Sequence, residues 1–277
     1  MSSSREKTLA YVCLGVVYLV WGSTYLGIQV AIESMPPFSM AAFRFLVAGA
    51  VLYGWARLRG EPAPTTAAWR GAALFGSLFF VVGNGLVVWA EQFVPSGRTA
   101  LLASTTPVWM VVIDSALAGW RRPPNRVLVG IVFGMVGLAL LISPQPNTTA
   151  EPIPVLGMLA LLGAAIGWAG GSVWSHRRHL PGSPILSTGM KMMAGGLQLG
   201  LVALIAGEGQ RLAVERITPS SWAALGYLIV FGSIIGFSAF TYLLRTSTPA
   251  AAGTSAYVNP LVAVLLGSAL AGEIVTA

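Results

Sequence analysis

An all-α membrane fold built from two inverted five-helix halves is what this sequence predicts, and three observations carry the prediction. Apolar residues make up 55% of the chain and charged residues only 9%, with a mean hydropathy of +0.76. A soluble domain carries about 25% charged residues, so this chain lacks the polar surface that water requires. The apolar residues fall into runs of roughly twenty, the length a helix needs to cross the hydrocarbon core of a bilayer. The runs also repeat, because residues of the first half recur in order in the second at nearly constant offsets.

Taken in order, the apolar runs cover Leu9–Val30, Phe38–Leu58, Trp69–Ala90, Thr99–Trp120, a shorter Val127–Ile142, Pro154–Ser175, Pro184–Ala206, Ser221–Leu244 and Ala250–Ala271. That makes nine spans. The connections are short and carry turn formers such as Met35-Pro36-Pro37, Arg122-Pro123-Pro124 and Leu180-Pro181-Gly182, so neighbouring spans run antiparallel. The 33 glycines and 17 prolines are interleaved with Leu, Val and Ala, as in membrane helices. One cysteine, Cys13, excludes an internal disulfide framework. Two histidines, His176 and His179, are too few for a typical metal centre, and no cofactor is expected. The first run is too long for a signal-peptide core and lacks a small-residue cleavage site.

Orientation follows from Lys and Arg in the connections. The N-terminal tail and every second loop hold Arg5, Lys7, Arg57, Arg59, Arg70, Arg121, Arg122, Arg126, Arg177, Arg178 and Arg245. The other side has Arg98, Arg211 and Arg216, and there Glu33, Glu91, Glu151, Glu208, Glu215 and Glu273 collect. This asymmetry predicts a cytoplasmic N-terminus in an inner (plasma) membrane of bacterial type. The net charge of +7 therefore reports topology and implies no nucleic-acid partner; the surroundings are lipid.

The repeat is seen in Pro107 followed by Ser115-Ala116-Leu117-Ala118-Gly119 and Pro260 followed by Ser268-Ala269-Leu270-Ala271-Gly272, 153 residues apart. The same offset pairs Trp69 with Trp222, and one of 154 pairs Pro95 with Pro249. Earlier in each half, an offset of 147 pairs Trp21 with Trp168, Pro37 with Pro184, and Arg44 with Lys191. Two units result, 1–150 and 151–277. A unit of five helices is odd, so the second crosses the membrane in the opposite sense. Inverted repeats of this kind occur in secondary transporters, with the site near the midplane where the halves meet. The repeat also predicts a tenth helix after Glu273, missing from this chain.

Several of these residues form familiar motifs. Trp21-Gly22-Ser23-Thr24-Tyr25, Pro37 with Arg44-Phe45, and Ala90-Glu91-Gln92-Phe93-Val94-Pro95-Ser96-Gly97 leading to Pro107 resemble the EamA-type branch of the drug/metabolite transporter superfamily. Pro249, Asn259-Pro260 and Gly272-Glu273 match the second copy of that pattern. The resemblance covers the whole chain except the missing tenth helix. It implies a ten-helix exporter of amino acids or related metabolites, working by alternating access, with a cavity lined mainly by helices 1, 3, 4, 6, 8 and 9. A monomer or a homodimer is compatible with it.

The candidate site residues are polar or aromatic groups placed inside spans. Trp21, Tyr25, Trp168 and Ser172 sit mid-span on the first and sixth helices, whereas Trp and Tyr ordinarily collect at the interfaces. They can line a substrate cavity by stacking, against ordinary packing or lipid contact. Asn84, between Gly83 and Gly85, and Tyr257 and Asn259, beside Pro260, are further substrate-binding candidates; a membrane amide equally bridges helices. Arg44 and Lys191 fall about two turns into their helices, where a cation opposes the macrodipole. They are assigned a structural or gating role, with carboxylate binding as the competing one. Asp114, near a helix end, and Glu91, at the outer end of the third span, complete the gating charges.

These features predict a secondary transporter that exports amino acids, aromatic or otherwise neutral, or related small metabolites. Export of drugs or organic cations, or of a sugar- or nucleotide-type solute, is the alternative. An intramembrane enzyme is disfavoured, because neither histidine sits in a span to act as base for Ser172. There is no Walker loop for ATP drive, and a channel would need a continuous polar lining.

Overall fold

Helix starts are written locally in the sequence. Pro37, Pro184, Pro219 and Pro249 each occupy the first turn of a helix, where a missing N–H costs nothing and the fixed φ is already helical. Hydroxyls cap the first turns of three of these helices and of one more: Ser183 accepts from Leu186 N, Thr218 from Ser221 N, Thr248 from Ala251 N and Thr65 from Ala68 N, at 3.1–3.3 Å.

The computed structural model describes residues 4–142 and 154–271. Within them the helices are α1 (Ser4–Ile32), α2 (Pro37–Leu58), α3 (Thr66–Ala90), α4 (Ser96–Leu117), α5 (Asn125–Ile142), α6 (Val155–Arg177), α7 (Pro184–Ile205), α8 (Pro219–Thr246) and α9 (Pro249–Gly253 continuing as Ser255–Ala271). All but α5 are long and apolar enough to cross a membrane, and the described apolar part of α5 is shorter. Two spans contain wide turns with i→i+5 bonding, Ser77–Gly85 in α3 and Leu228–Ile235 in α8.

Two expectations need correcting. The fourth span ends at Leu117, because Gly119 and Trp120 both take positive φ (75° and 58°) and turn the chain out; Trp120 is exposed outside the helix. His176 belongs to the last turn of α6 rather than to a loop. It bonds the Leu244 carbonyl at 2.8 Å, while Ser172 Oγ donates to Trp168 O, so the two do not form a nucleophile–base pair. Glu151, Gly272, Glu273 and the expected tenth helix lie outside the described residues.

The most extensive helix pair is α2 against α7. Glycines let them touch backbone to backbone. A Cβ on Gly49 would lie 2.7 Å from Met193 N, one on Gly189 would lie 2.6 Å from Tyr53 N, and one on Gly196 would lie 2.9 Å from Leu46 N. The residue numbers fall on one helix as they rise on the other, so the pair is antiparallel. The 147-residue offset carries Leu46 onto Met193 and Gly49 onto Gly196, and the contacts are reciprocal, as a two-fold relation demands. The remaining packing obeys the same relation. α1 packs on α8 and α9, and α6 packs correspondingly on α3 and α4.

The pair is fastened at both ends by carboxylates. Glu208, just after α7, accepts from Phe38 N at 3.1 Å and from Ser39 N and Oγ at 2.7 and 2.8 Å. Glu61, just after α2, accepts from Ser183 N at 2.9 Å. The two acids are themselves 147 residues apart. Each places negative charge at the N-terminus of the other half's helix, where it satisfies free N–H groups and the macrodipole.

Close approach makes a sharp prediction. Gly49→Ala should destabilise the protein by about 1–3 kcal/mol, because backbone atoms on both sides leave no room for a methyl group. Gly54→Ala on the same helix meets nothing within 4 Å and should leave stability unchanged or slightly raised. Thermal unfolding in detergent compares the two, and equal midpoints would contradict the packing.

Candidate functional site

The wide turns of α3 and α8 position the centre of the bundle. In α8 the widened stretch presents the Gly232 carbonyl to Trp21, whose Nε1 donates to it at 3.1 Å. Gly236, one turn on, lies directly under the same indole. In α3 the stretch presents Gly83 to the Trp168 ring, which a Cβ there would meet at 3.1 Å. The 153-residue offset carries Gly83 onto Gly236 and Phe79 onto Gly232, so each indole rests on a glycine of the opposite half.

Around the two indoles stands an aromatic cluster. Trp21 and Trp168 meet edge to face with centroids 5.1 Å apart, and Phe237 and Phe240 lie 4.8–5.7 Å from both. Phe79 meets Trp168 at 5.2 Å. Ring edges on ring faces are the favourable geometry for such contacts. Beyond the cluster, toward the end of the bundle that carries Arg177 and Arg245, Val173, Leu243, Leu244, Thr188 and Thr241 are buried. Thr188 donates to Thr241 at 2.8 Å, and the interior is closed there.

On the other side of the cluster is a cavity of about 750 Å³, counting its open portion. Trp21, Tyr25, Asn84, Trp168 and Asn259 line it, joined by Thr24, Thr106, Met110, Phe237, Phe240, Ser255 and Arg44. On α1 and α3 the lining residues lie in the C-terminal half, toward the end that carries Glu91, and on α9 they lie in the N-terminal half. Asn84 Nδ2 donates to Phe79 O at 3.1 Å, satisfying a carbonyl of the widened turn. Oriented to satisfy its neighbours, the Asn259 amide donates to Tyr18 O and Ser255 O at 3.2 and 2.9 Å. Pro260, inside α9, lacks the N–H that would bond the Ala256 carbonyl, and Ala256 lines the cavity.

Two of the substrate-binding candidates do not reach this wall. Ser172 is fully buried and its hydroxyl is turned back to Trp168 O at 2.8 Å. Tyr257 packs against Gly134 of α5, where a Cβ would meet its ring at 2.5 Å. The charges separate as well. Arg44 lines the cavity, whereas Lys191 is buried on the closed side with Nζ 5.6 Å from the Phe79 ring centroid. Asp114 pairs with Arg177 at 2.7 Å on the partly exposed surface, an arrangement worth little energetically. Glu91 is buried just past α3 and acts through space on Arg44 and Tyr25. Outside the spans, burial pushes the His179 imidazole below its ordinary pKa.

Phe237 and Phe240, which form the floor, are among the wall residues that sequence reading missed. The 153-residue offset pairs them with Asn84 and Val87, both of which line the cavity, so the repeat held the signal. The same offset pairs Thr106 with Asn259, another wall residue, whereas Met110, paired with Ala263, carries no such mark.

The EamA-like transporter family matches this chain twice, over residues 8–143 and 155–277. YedA, an uncharacterized inner membrane transporter of Escherichia coli K12, is 41% identical over 272 residues, covering 97% of this chain and 85% of that protein. A chloroplastic WAT1-related protein of Arabidopsis thaliana is 24% identical over 271 residues, covering 96% of this chain and 65% of its own length. A protein of known crystal structure, 21% identical, shares the fold with a TM-score of 0.74 over all of this chain and 91% of its own.

The division between open and closed sides can be read chemically. In a Cys13→Ser background, a cysteine at position 84 or 106 should react with a small charged thiol reagent, and one at position 172 should be protected. Equal labelling at 84 and 172 would contradict the cavity's position.

Proposed function

This chain belongs to the EamA-like transporter family, and we propose that it exports amino acids, aromatic or otherwise neutral, or related small metabolites across the inner membrane. The observation that carries this reading is the cavity, which meets an aromatic floor at the centre of the bundle and is walled by helices from both sequence repeats. Small-ligand sites combine apolar walls with a few placed polar groups, and Asn84, Asn259, Thr106 and Arg44 are such groups here. The N-terminus lies in the cytoplasm in this reading, and the relative's printed description as an inner membrane transporter supports the location.

Alternating access would exchange the roles of the two halves, 1–150 and 151–277. Trp21 is latched to Gly232 O in α8. The equivalent acceptor for Trp168 is Phe79 O, which Asn84 Nδ2 holds in this state. Release of Asn84, by substrate or by movement of α3, frees that carbonyl for the Trp168 indole as Trp21 lets go. Closure then moves from the Arg177 end to the Glu91 end. Export of organic cations fits less well, because the charged side chain on the wall is a guanidinium.

Purified protein in liposomes loaded with labelled phenylalanine or leucine should show saturable flux, and flux of sugars or organic cations alone would overturn the substrate reading. Trp21→Phe keeps the ring but loses one hydrogen bond, worth about 1 kcal/mol, and should shift the balance of the two end states about fivefold. Initial rates measured from the two sides of the membrane would register that shift as a change in their ratio.

A further inference from the structure

Arg44 is held as though part of its fork were reserved. Its side chain is buried, with 2% of its surface exposed. Nε donates to Ser233 Oγ at 2.8 Å. Nη2 lies over Gly232, where a Cβ would come within 2.8 Å of it, and Cζ sits 4.8 Å from the Phe45 ring centroid. Nη1 is buried and has no hydrogen-bond partner among the described residues. Arg44 lines the cavity. Glu91 acts on it through space but lies outside the cavity wall.

An arginine has five N–H donors and cannot be neutralised in a protein. Burying it with donors unpaired is costly, and a fold keeps such a group where something else completes it. Ser233 engages Nε, Gly232 lies against Nη2 and Phe45 sits under Cζ, so Nη1 is the donor left for an added acceptor. Carboxylates match a guanidinium in shape and charge.

From these contacts we infer that Arg44 is the anchor for a carboxylate group of the transported molecule, whose apolar body rests on the aromatic floor of Trp21, Trp168, Phe237 and Phe240. The inference rests on the reading of this cavity as the transport site, and it narrows the cargo to organic acids or zwitterions with an apolar or aromatic side. Asn84 Oδ1 and the Ala256 carbonyl, which Pro260 deprives of its helical N–H donor, are acceptors on the wall for an ammonium group on the same molecule. Arg44 thus acts by direct contact with cargo, not as a gate.

Phenylacetate and phenylacetamide differ only in the charged group, and the indoles at the cavity floor supply an optical signal. Phenylacetate should quench the tryptophan fluorescence of the purified wild-type protein saturably. The amide should bind about ten- to a hundredfold more weakly, as expected for one lost hydrogen bond to a charged group. Arg44→Gln should abolish the discrimination between the two. Arg44→Lys, which keeps the charge without the fork, should retain only part of it. Equal binding of acid and amide by the wild type, or binding of neither, would overturn the inference, and neither result needs a folded variant. Liposome flux keeps the two readings apart. Flux that ignores the carboxylate defeats the Arg44 assignment alone, whereas acid-selective binding without any amino-acid flux defeats the transport reading alone.

Discussion

The antiparallel contact between α2 and α7 is the constraint on which the rest of the structure depends. In a bilayer, apolar side chains gain nothing by leaving lipid for one another, so association relies on close packing and on polar contacts. Gly49, Gly189 and Gly196 bring the two backbones together, and Glu61 and Glu208 fasten the ends by capping each other's helix. Because the contact is reciprocal under the sequence offset, it also lies on the pseudo-two-fold axis. Every other helix takes its place relative to this pair. α1 with α8 and α6 with α3 occupy mated positions around it, which is why the indoles of α1 and α6 arrive at the same depth.

The widened turns of α3 and α8 make the centre usable. Each shifts the helix register so that a glycine faces an indole, and each leaves a carbonyl to be claimed by a side chain. Trp21 claims Gly232 O in one half, and Asn84 claims Phe79 O in the other. Wide turns of this kind are frequent at functional sites because they present polar backbone without ending the helix. Here they put polar backbone at mid-membrane only where a side chain or the cavity receives it.

Much of this plan was legible in the sequence, because it follows from periodicities that the membrane imposes. The spans came from hydropathy, and the motifs and doubled offsets pointed to the family that the comparisons establish. Of the candidate wall residues, Trp21, Tyr25, Asn84, Trp168 and Asn259 were found because each sets a polar or amphipathic group where lipid would exclude it. The failures have equally specific causes. Ser172 and Tyr257 sit at suitable depth, but rotation about the helix axis turns them to α6's own backbone and to α5. Depth is readable from position along a span, whereas facing depends on the neighbours. Phe237 and Phe240 escaped because phenylalanine in a span looks like any other apolar residue. Arg44 was placed correctly in depth, but its partners, Ser233 and Gly232, lie on a helix almost two hundred residues away. Nothing local to α2 reveals that one nitrogen of its fork stays free.

A strictly symmetric inverted repeat would have two end states of equal energy, one the mirror of the other in topology. The residues that break the symmetry lie where such a balance would be set. Arg44 meets Gly232 and Ser233, which give its guanidinium room and a hydroxyl acceptor. Its mate Lys191 faces Phe79, the equivalent of Gly232, whose ring offers no oxygen, and Phe80 stands where Ser233 supplies the hydroxyl. Trp21 has a free carbonyl to bind, and Trp168 must compete with Asn84 for its own. Each difference favours the arrangement seen here, with the Arg177 end closed and Arg44 on the cavity wall. In the proposed cycle the opposite state must therefore be reached with help. A molecule that engages Arg44 and displaces Asn84 acts on two of the contacts that hold the present state, so binding and rearrangement draw on the same residues. In the proposed cycle, the asymmetry between the halves lets cargo, rather than thermal chance alone, decide when the bundle turns over.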